Sequence, residues 1–129
     1  MAETSTKGRV RKSSSEDALH YAVAKYLALA LPAKAFFFHV PNGGARNPVT
    51  GAKLKRMGTV PGVPDFIVLH LGQAYAIELK AKSGALNRAQ KIVHAKLAEA
   101  CVPIVTARSV EEVAGFLGFF MELRGRVAA

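Results

Sequence analysis

Residues 64–80 read PDFIVLHLGQAYAIELK. Two segments rich in β-branched and aromatic residues, Asp65–Leu71 and Ala74–Lys80, lie on either side of Gly72. Glycine favours tight turns, and strands of this composition on both sides of one predict a β-hairpin.

The length of the turn sets which side chains of this hairpin face each other. If the two turn residues are Leu71-Gly72, Asp65 lies opposite Glu78, with Cα atoms about 4.5–5.5 Å apart. A turn at Gly72-Gln73 would instead set Asp65 opposite Lys80. Both registers keep the two carboxylates and Lys80 on one face, because side chains alternate along a strand. A turn of odd length would separate the carboxylates.

Two facing carboxylates repel each other, and a bound divalent cation turns that repulsion into coordination. Mg²⁺ takes oxygen ligands, commonly one or two carboxylates with water in the remaining positions. A lysine beside them can orient or deprotonate a water and stabilise charge on a phosphate. Alternatively, Asp65 caps a turn and Glu78 pairs with Lys80 at the surface. The matched register of Asp65, Glu78 and Lys80 favours a metal site.

Charge around the hairpin is one-sided. The 129-residue chain carries a net charge of +9 and has a pI near 10.1. Between Ala18 and Ala98 there are eleven lysines or arginines, and the only acids are Asp65 and Glu78. A surface charged for solubility would mix both signs. This distribution indicates a polyanionic partner such as nucleic acid.

The bulk composition excludes other classes of protein. No apolar run reaches the length of a membrane span, and the polar, basic start of the chain does not resemble a secretory signal. The single cysteine, Cys101, excludes an intramolecular disulfide and fits a reducing cytoplasm. We therefore expect a non-secreted, cytoplasmic protein of a bacterium or a virus-infected cell. Residues 1–13 are expected to form a flexible basic arm, with one domain over residues 14–129.

The rest of the chain supplies helices and two further strands. A helix is predicted from Ser13–Ser15 to Pro32, and a polar, basic loop from the Pro41–Gly44 turn to about Thr59, with a possible short helix inside it. Strands are predicted over Ala35–Val40 and Pro103–Ala107, and helices over Asn87–Cys101 and after Ser109. The order α-β-β-β-α-β-α predicts an α/β fold with a mixed sheet flanked by helices.

Several segments together resemble the VRR-NUC (virus-type replication-repair nuclease) domain of the PD-(D/E)XK nuclease superfamily. The resemblance runs from about Glu16 to Leu117 and rests on Pro41-Asn42-Gly43-Gly44, Arg46, Gly62-Val63-Pro64-Asp65, Ile77-Glu78-Leu79-Lys80 and Gln90.

This resemblance implies a restriction-endonuclease-like core and Mg²⁺- or Mn²⁺-dependent hydrolysis of phosphodiester bonds. Asp65, Glu78 and the backbone carbonyl of Leu79 would hold the metal, and Lys80 would position or activate water. Glu16 would complete the metal environment directly or through water. Gln90 matches a polar position of the helix that follows the Glu-x-Lys strand.

The resemblance also implies a homodimer that cuts branched DNA, such as Holliday junctions or flaps in DNA repair. DNA contacts are expected from Asn42, Gly43, Gly44, Arg46, Lys53, Lys55, Arg56 and Lys82.

Three alternatives stay open from the sequence. One is a nickase or exonuclease acting on unbranched DNA. Another is a non-catalytic basic DNA-binding module, in which the carboxylates only fix the hairpin. An RNA-binding module is disfavoured, because the sequence shows no exposed aromatic pattern on a sheet.

Overall fold

The computed structural model describes residues 2–41 and 48–125, with side chains described over residues 15–41 and 48–125. Eight elements follow one another in these ranges: α1 (Ala2–Ala30), β1 (Ala35–His39), α2 (Pro48–Arg56), β2 (Phe66–His70), β3 (Gln73–Leu79), α3 (Arg88–Glu99), β4 (Ile104–Ala107) and α4 (Val110–Phe120).

The four strands form one mixed sheet in the order β1-β2-β3-β4. The first three strands are antiparallel, and β4 joins β3 in parallel after the chain crosses over through α3. The predicted α/β class, mixed sheet and order of elements are confirmed, and the possible helix in the basic loop is present as α2.

The hairpin adopts the first of the two registers considered from the sequence. Phe66 faces Ile77 and His70 faces Gln73, which leaves Leu71 and Gly72 as the turn. Both turn residues have positive φ angles, 49° and 82°. A two-residue turn with two positive φ angles is the type I′ turn, whose twist matches that of the strands it joins.

The sheet has two faces with different coverings. One face packs against α1 and α4 and forms the main core, in which Val23, Phe66, Val68, Ile77 and Leu117 are fully buried. Residues of β2 and β3 that alternate with these point to the opposite face. Asp65 and Glu78 belong to that second face, so the fold separates the candidate site from the core.

Helix α1 is longer than the sequence predicted. It spans Ala2–Ala30, whereas the sequence predicted a flexible arm over residues 1–13 and a helix start at Ser13–Ser15. The prediction relied on serine as a cap, but serine is also tolerated inside helices. The segment before these serines holds no proline and a single glycine, Gly8, so no residue in it forces a break.

The end of α1 is held by a distant arginine. The Arg124 backbone N–H donates to the Ala30 carbonyl at 2.7 Å, and its Nε and Nη2 donate to the Leu31 carbonyl at 2.9 and 2.6 Å. A basic side chain satisfies the free carbonyls at a helix C-terminus in this way.

Within residues 2–41 and 48–125, no helix is both long and apolar enough to cross a membrane.

Candidate active site

The two carboxylates of the hairpin meet at one end of the sheet. Asp65 directly precedes β2, and continuing the observed register by one residue sets it opposite Glu78 of β3. The Leu79 backbone N–H donates to Asp65 Oδ2 at 2.7 Å. This bond fixes the Asp65 carboxylate across the two strands, beside Glu78.

Glu78 is buried, and two side chains of α3 contact its carboxylate. Only 3% of its surface is exposed. Gln90 Nε2 donates to Glu78 Oε2 at 3.3 Å, and His94 Nε2 lies 3.3 Å from Oε1. Each carboxylate oxygen therefore has one partner on the helix, from side chains one turn apart.

A capping box at the start of α3 orients the Gln90 side chain. The Asn87 side chain accepts from the Gln90 backbone N–H at 2.9 Å, and Gln90 Oε1 accepts from the Asn87 backbone N–H at 3.0 Å. Because the amide oxygen is used in the cap, the amide NH₂ is left to face Glu78. Gln90 thus caps its helix and contacts the site with one side chain.

Gly62 allows the chain before Asp65 to pass close to α3. Its φ is +87°, and an added Cβ would lie 2.5 Å from the backbone C and O of Ala89 and 2.7 Å from the Gln90 backbone N. Only glycine fits this contact without movement of the backbone. The contact couples the position of α3 to the segment that leads to Asp65.

Charge at the site disfavours two ionised carboxylates. Burial, followed by the negative charge of Asp65 and a hydrogen bond with it, raises the pKa of Glu78 to about 8. The positive charge of Lys80 opposes this rise, and the negative charge of Glu16 adds to it. Burial and the nearby charge of Lys80 lower the pKa of His94, which favours its neutral form.

Lys80 follows Glu78 by two residues and therefore points to the same face of the sheet. Its backbone N–H donates to the Ala107 carbonyl of β4 at 3.0 Å. The segment after it is held by Arg108, whose Nη1 donates to the carbonyls of Ala81 and Lys82. These bonds position the lysine at the carboxylate end of the hairpin.

Helix α1 and strand β1 bring two histidines beside Asp65. The ring of His20 lies 4.4 Å from that of His39 and 4.6 Å from that of Phe66, between centroids. His39 Nδ1 lies 2.8 Å from the Asp65 carbonyl oxygen. A carbonyl only accepts, so Nδ1 carries the proton, and His39 holds the main chain at Asp65.

The sequence analysis named none of His20, His39 and His94 as a site residue, and each of them lies next to a predicted site residue. The spacing of His94, one turn after Gln90, was the available signal. The contact of His39 with Asp65 depends on strand pairing and has no local signal.

Two solved structures share this architecture. A "VRR_NUC domain protein" superposes with a TM-score of 0.66 and 22% identity, covering 83% of this chain and 88% of that one. A "VRR_NUC domain" superposes with a TM-score of 0.56 and 16% identity, covering 83% of this chain and 98% of that one. The chain has the VRR_NUC fold. No family model matches the sequence, and no curated protein does.

Within this VRR_NUC fold, the donor set fits a hydrated hard cation better than a closed metal cage. Among the residues whose side chains are described, no three or more His, Cys, Asp or Glu residues form a metal-binding group. Asp65 and Glu78 supply two adjacent carboxylates, and the negative charge of Asp65 helps to raise the pKa of Glu78. Mg²⁺ is commonly bound by one or two carboxylates and keeps several waters, so the residues present fit this ion.

The remaining predicted site residues are either exposed or outside the described residues. Glu16 is exposed on α1, close enough to act electrostatically on Glu78. Lys53, Lys55 and Arg56 form the exposed last turn of α2, and Lys82 is exposed after β3. Asn42, Gly43, Gly44 and Arg46 lie outside the described residues.

Proposed function

We propose that this protein is a metal-dependent, structure-selective DNA endonuclease that hydrolyses phosphodiester bonds in branched DNA such as junctions or flaps. One observation carries the proposal: Asp65 and Glu78 face each other in register at one end of the hairpin, with Lys80 on the same face. The VRR_NUC fold supports it, since the sequence resemblance to that nuclease domain covers the same residues.

Asp65, Glu78 and the Leu79 backbone carbonyl would hold Mg²⁺ or Mn²⁺, with Glu16 acting directly or through water. The ion would supply Lewis-acid polarisation of the phosphate and lower the pKa of the attacking water. Gln90 and the Leu79 N–H fix the directions of the two carboxylates. Such anchoring lets the site act without reorganising during the reaction.

Lys80 would act on the water and the phosphate. Its ammonium donates hydrogen bonds, so it can orient a water in line with the bond to be broken and stabilise charge on the phosphate oxygens. Attack forms the new P–O bond as the bond to the leaving oxygen breaks. Hydrolysis of this kind requires positioning and charge neutralisation rather than a covalent intermediate.

Binding would rest on basic side chains and on a second copy of the chain. The exposed cluster at the end of α2 would contact phosphates, which gives affinity without sequence choice. Phe119 is 84% exposed on α4, a large apolar surface that a partner subunit would cover. A two-fold dimer would present two sites to a junction.

The test is cleavage of labelled four-way junction, flap and blunt duplex DNA with Mg²⁺, Mn²⁺ or EDTA. Wild type is compared with Asp65→Ala, Glu78→Gln and the control Glu111→Gln, which changes an exposed acid in the first turn of α4. We expect metal-dependent cutting of branched DNA by wild type and Glu111→Gln, and a loss of at least 100-fold in the other two.

Three results would contradict the proposal in different ways. Full activity of clean Glu78→Gln would remove the active-site assignment. Equal cutting of blunt duplex, or cutting only from ends, would indicate a nickase or exonuclease instead. Tight binding without cutting under any metal would indicate a non-catalytic DNA-binding module.

A further inference from the structure

The second face of the sheet carries an open apolar area on β1 and β2. Phe36 and Phe38 alternate with the core residue Phe37, so they point away from the main core. Their exposed fractions are 63% and 39%, and Leu69, which pairs with Phe36, is also exposed. We call Phe36, Phe38 and Leu69 the aromatic platform. The sequence-based expectation that the sheet has no exposed aromatic pattern is therefore wrong.

The platform is continuous with the candidate active site. Phe38 pairs with Ile67, and Asp65 lies two residues before Ile67 on the same face of β2. Two residues along a strand span about 7 Å, and neighbouring strands lie about 5 Å apart. Phe38, the nearer phenylalanine, is therefore separated from the carboxylates by about the length of one nucleotide.

Charge argues for a nucleic acid on this surface and against a second copy. Lys34 is exposed directly before β1, and residues 18–64 contain no acidic residue. A second copy docked on this same face would bring its own Lys34 to it, and residues 18–64 hold no acid to pair with that charge, so the exposed surface of α4 suits a second copy better. A polyanion is attracted by the same charge.

Geometry argues for unpaired bases. The rings of Phe36 and Phe38 lie 5.9 Å apart between centroids on one side of the strand. Aromatic side chains bind single strands by stacking on the π-face that every base offers. In an intact duplex those faces are covered by neighbouring base pairs, so a duplex offers the platform nothing to stack on.

We propose that unpaired bases of the DNA strand stack on the aromatic platform, next to the phosphodiester bond that the site of Asp65 and Glu78 would hydrolyse. This rests on the proposed nuclease function and deepens it, because it names DNA with unpaired bases beside the cut as the substrate class. It gives selectivity for flaps and open junctions a physical source within this domain.

Binding measured in EDTA tests the platform without any cleavage. The probes are a single-stranded oligonucleotide containing 2-aminopurine, whose fluorescence falls when the base stacks, and a blunt duplex of the same sequence. Wild type is compared with Phe36→Leu/Phe38→Leu, which keeps an apolar surface without rings. Tyr21→Leu is the matched control, because this aromatic residue is 70% exposed on another element, helix α1.

We expect wild type and Tyr21→Leu to quench the probe, and the double variant to leave it fluorescent. Its single-strand affinity should fall by about fivefold or more, since stacking on one aromatic side chain is worth about 1–3 kcal/mol, and duplex affinity should stay within about twofold. Because Phe36 and Phe38 are exposed, the double variant should fold. A circular dichroism melt checks this.

Two results would overturn the proposal. One is an unchanged single-strand affinity and unchanged quenching in the double variant. The other is a dimeric wild type, by light scattering, that becomes monomeric in the double variant with equal losses for single strand and duplex, which would assign the platform to a second copy. Cleavage is measured in a different experiment. If bases stack on the platform but no DNA is cut, only the proposed nuclease activity is contradicted.

Discussion

At the scale of single residues, Glu78 makes the pH dependence of stability predictable. In metal-free protein its pKa is about 8, against an ordinary value of 4.5. Between these values the folded state keeps a proton that the unfolded state has lost, so stability falls as pH rises through this window.

We therefore expect the unfolding midpoint in EDTA to decrease from pH 5 to pH 8, and Glu78→Gln to flatten the curve. Urea denaturation at each pH measures this. Glu111→Gln should keep the wild-type slope, and a Glu78→Gln curve as steep as wild type would contradict the assignment.

Gly62 predicts a second effect at the residue scale. Gly62→Ala places a methyl group against the backbone of Ala89 and Gln90, in a φ region that alanine avoids. We expect a loss of about 1–3 kcal/mol in unfolding free energy and weaker cleavage, because α3 must move away from Glu78.

Gly51→Ala is the matched control for Gly62→Ala, since a Cβ at this position in α2 meets nothing within 4 Å. It should be neutral or slightly stabilising. Denaturant unfolding measures the free energy of unfolding of both variants. Equal losses in Gly62→Ala and Gly51→Ala would mean that the close contact of Gly62 with α3 does not form.

At the scale of elements, a substitution in the hairpin turn should stabilise the protein. Leu71 takes a left-handed φ of 49° although its side chain is 73% exposed, so it bears strain without packing. Leu71→Asn creates the Asn-Gly pair preferred in type I′ turns and should stabilise the protein by about 0.5–1 kcal/mol. Leu71→Ala keeps the strain and should change little, and a shift in denaturation midpoint measures both.

The hairpin also explains how much of the site was predictable. Asp65, Glu78 and Lys80 are brought together by strand alternation and a short turn, which are local properties that a sequence contains. The contacts of Glu78 with Gln90 and His94 depend on how α3 crosses the sheet. That crossing is a tertiary result, and the sequence showed only that these two side chains share a helix face.

Exposure was harder to predict than secondary structure. The run Ala35–Val40 was correctly predicted as a strand from its aromatic and β-branched residues. The same residues gave no sign that β1 would form the edge of the sheet, or that Phe36 and Phe38 on one face of it would stay uncovered. A strand's position in the sheet decides this, and position is set by the whole fold.

At the scale of the whole molecule, positive charge should make DNA binding strongly dependent on salt. Each phosphate contact contributes about 0.9 to the slope of log affinity against log salt concentration. If Lys53, Lys55 and Arg56 each contact a phosphate, their triple alanine variant should lower the slope by about 2–3. Lys96→Ala on α3 should leave it unchanged, and an unaltered slope in the triple variant would remove α2 from the interface.

The two facing carboxylates also bear on how fast the chain folds. A hairpin closes through local contacts, while the packing of α1 on the sheet joins distant parts of the sequence and forms more slowly. Asp65 and Glu78 would then meet before the core around them is complete, and either their repulsion or the uptake of a proton by Glu78 would raise the folding barrier. Glu78→Gln should refold faster than Glu111→Gln in metal-free stopped-flow experiments, so the residues that equip this hairpin for chemistry would also set the pace at which it assembles.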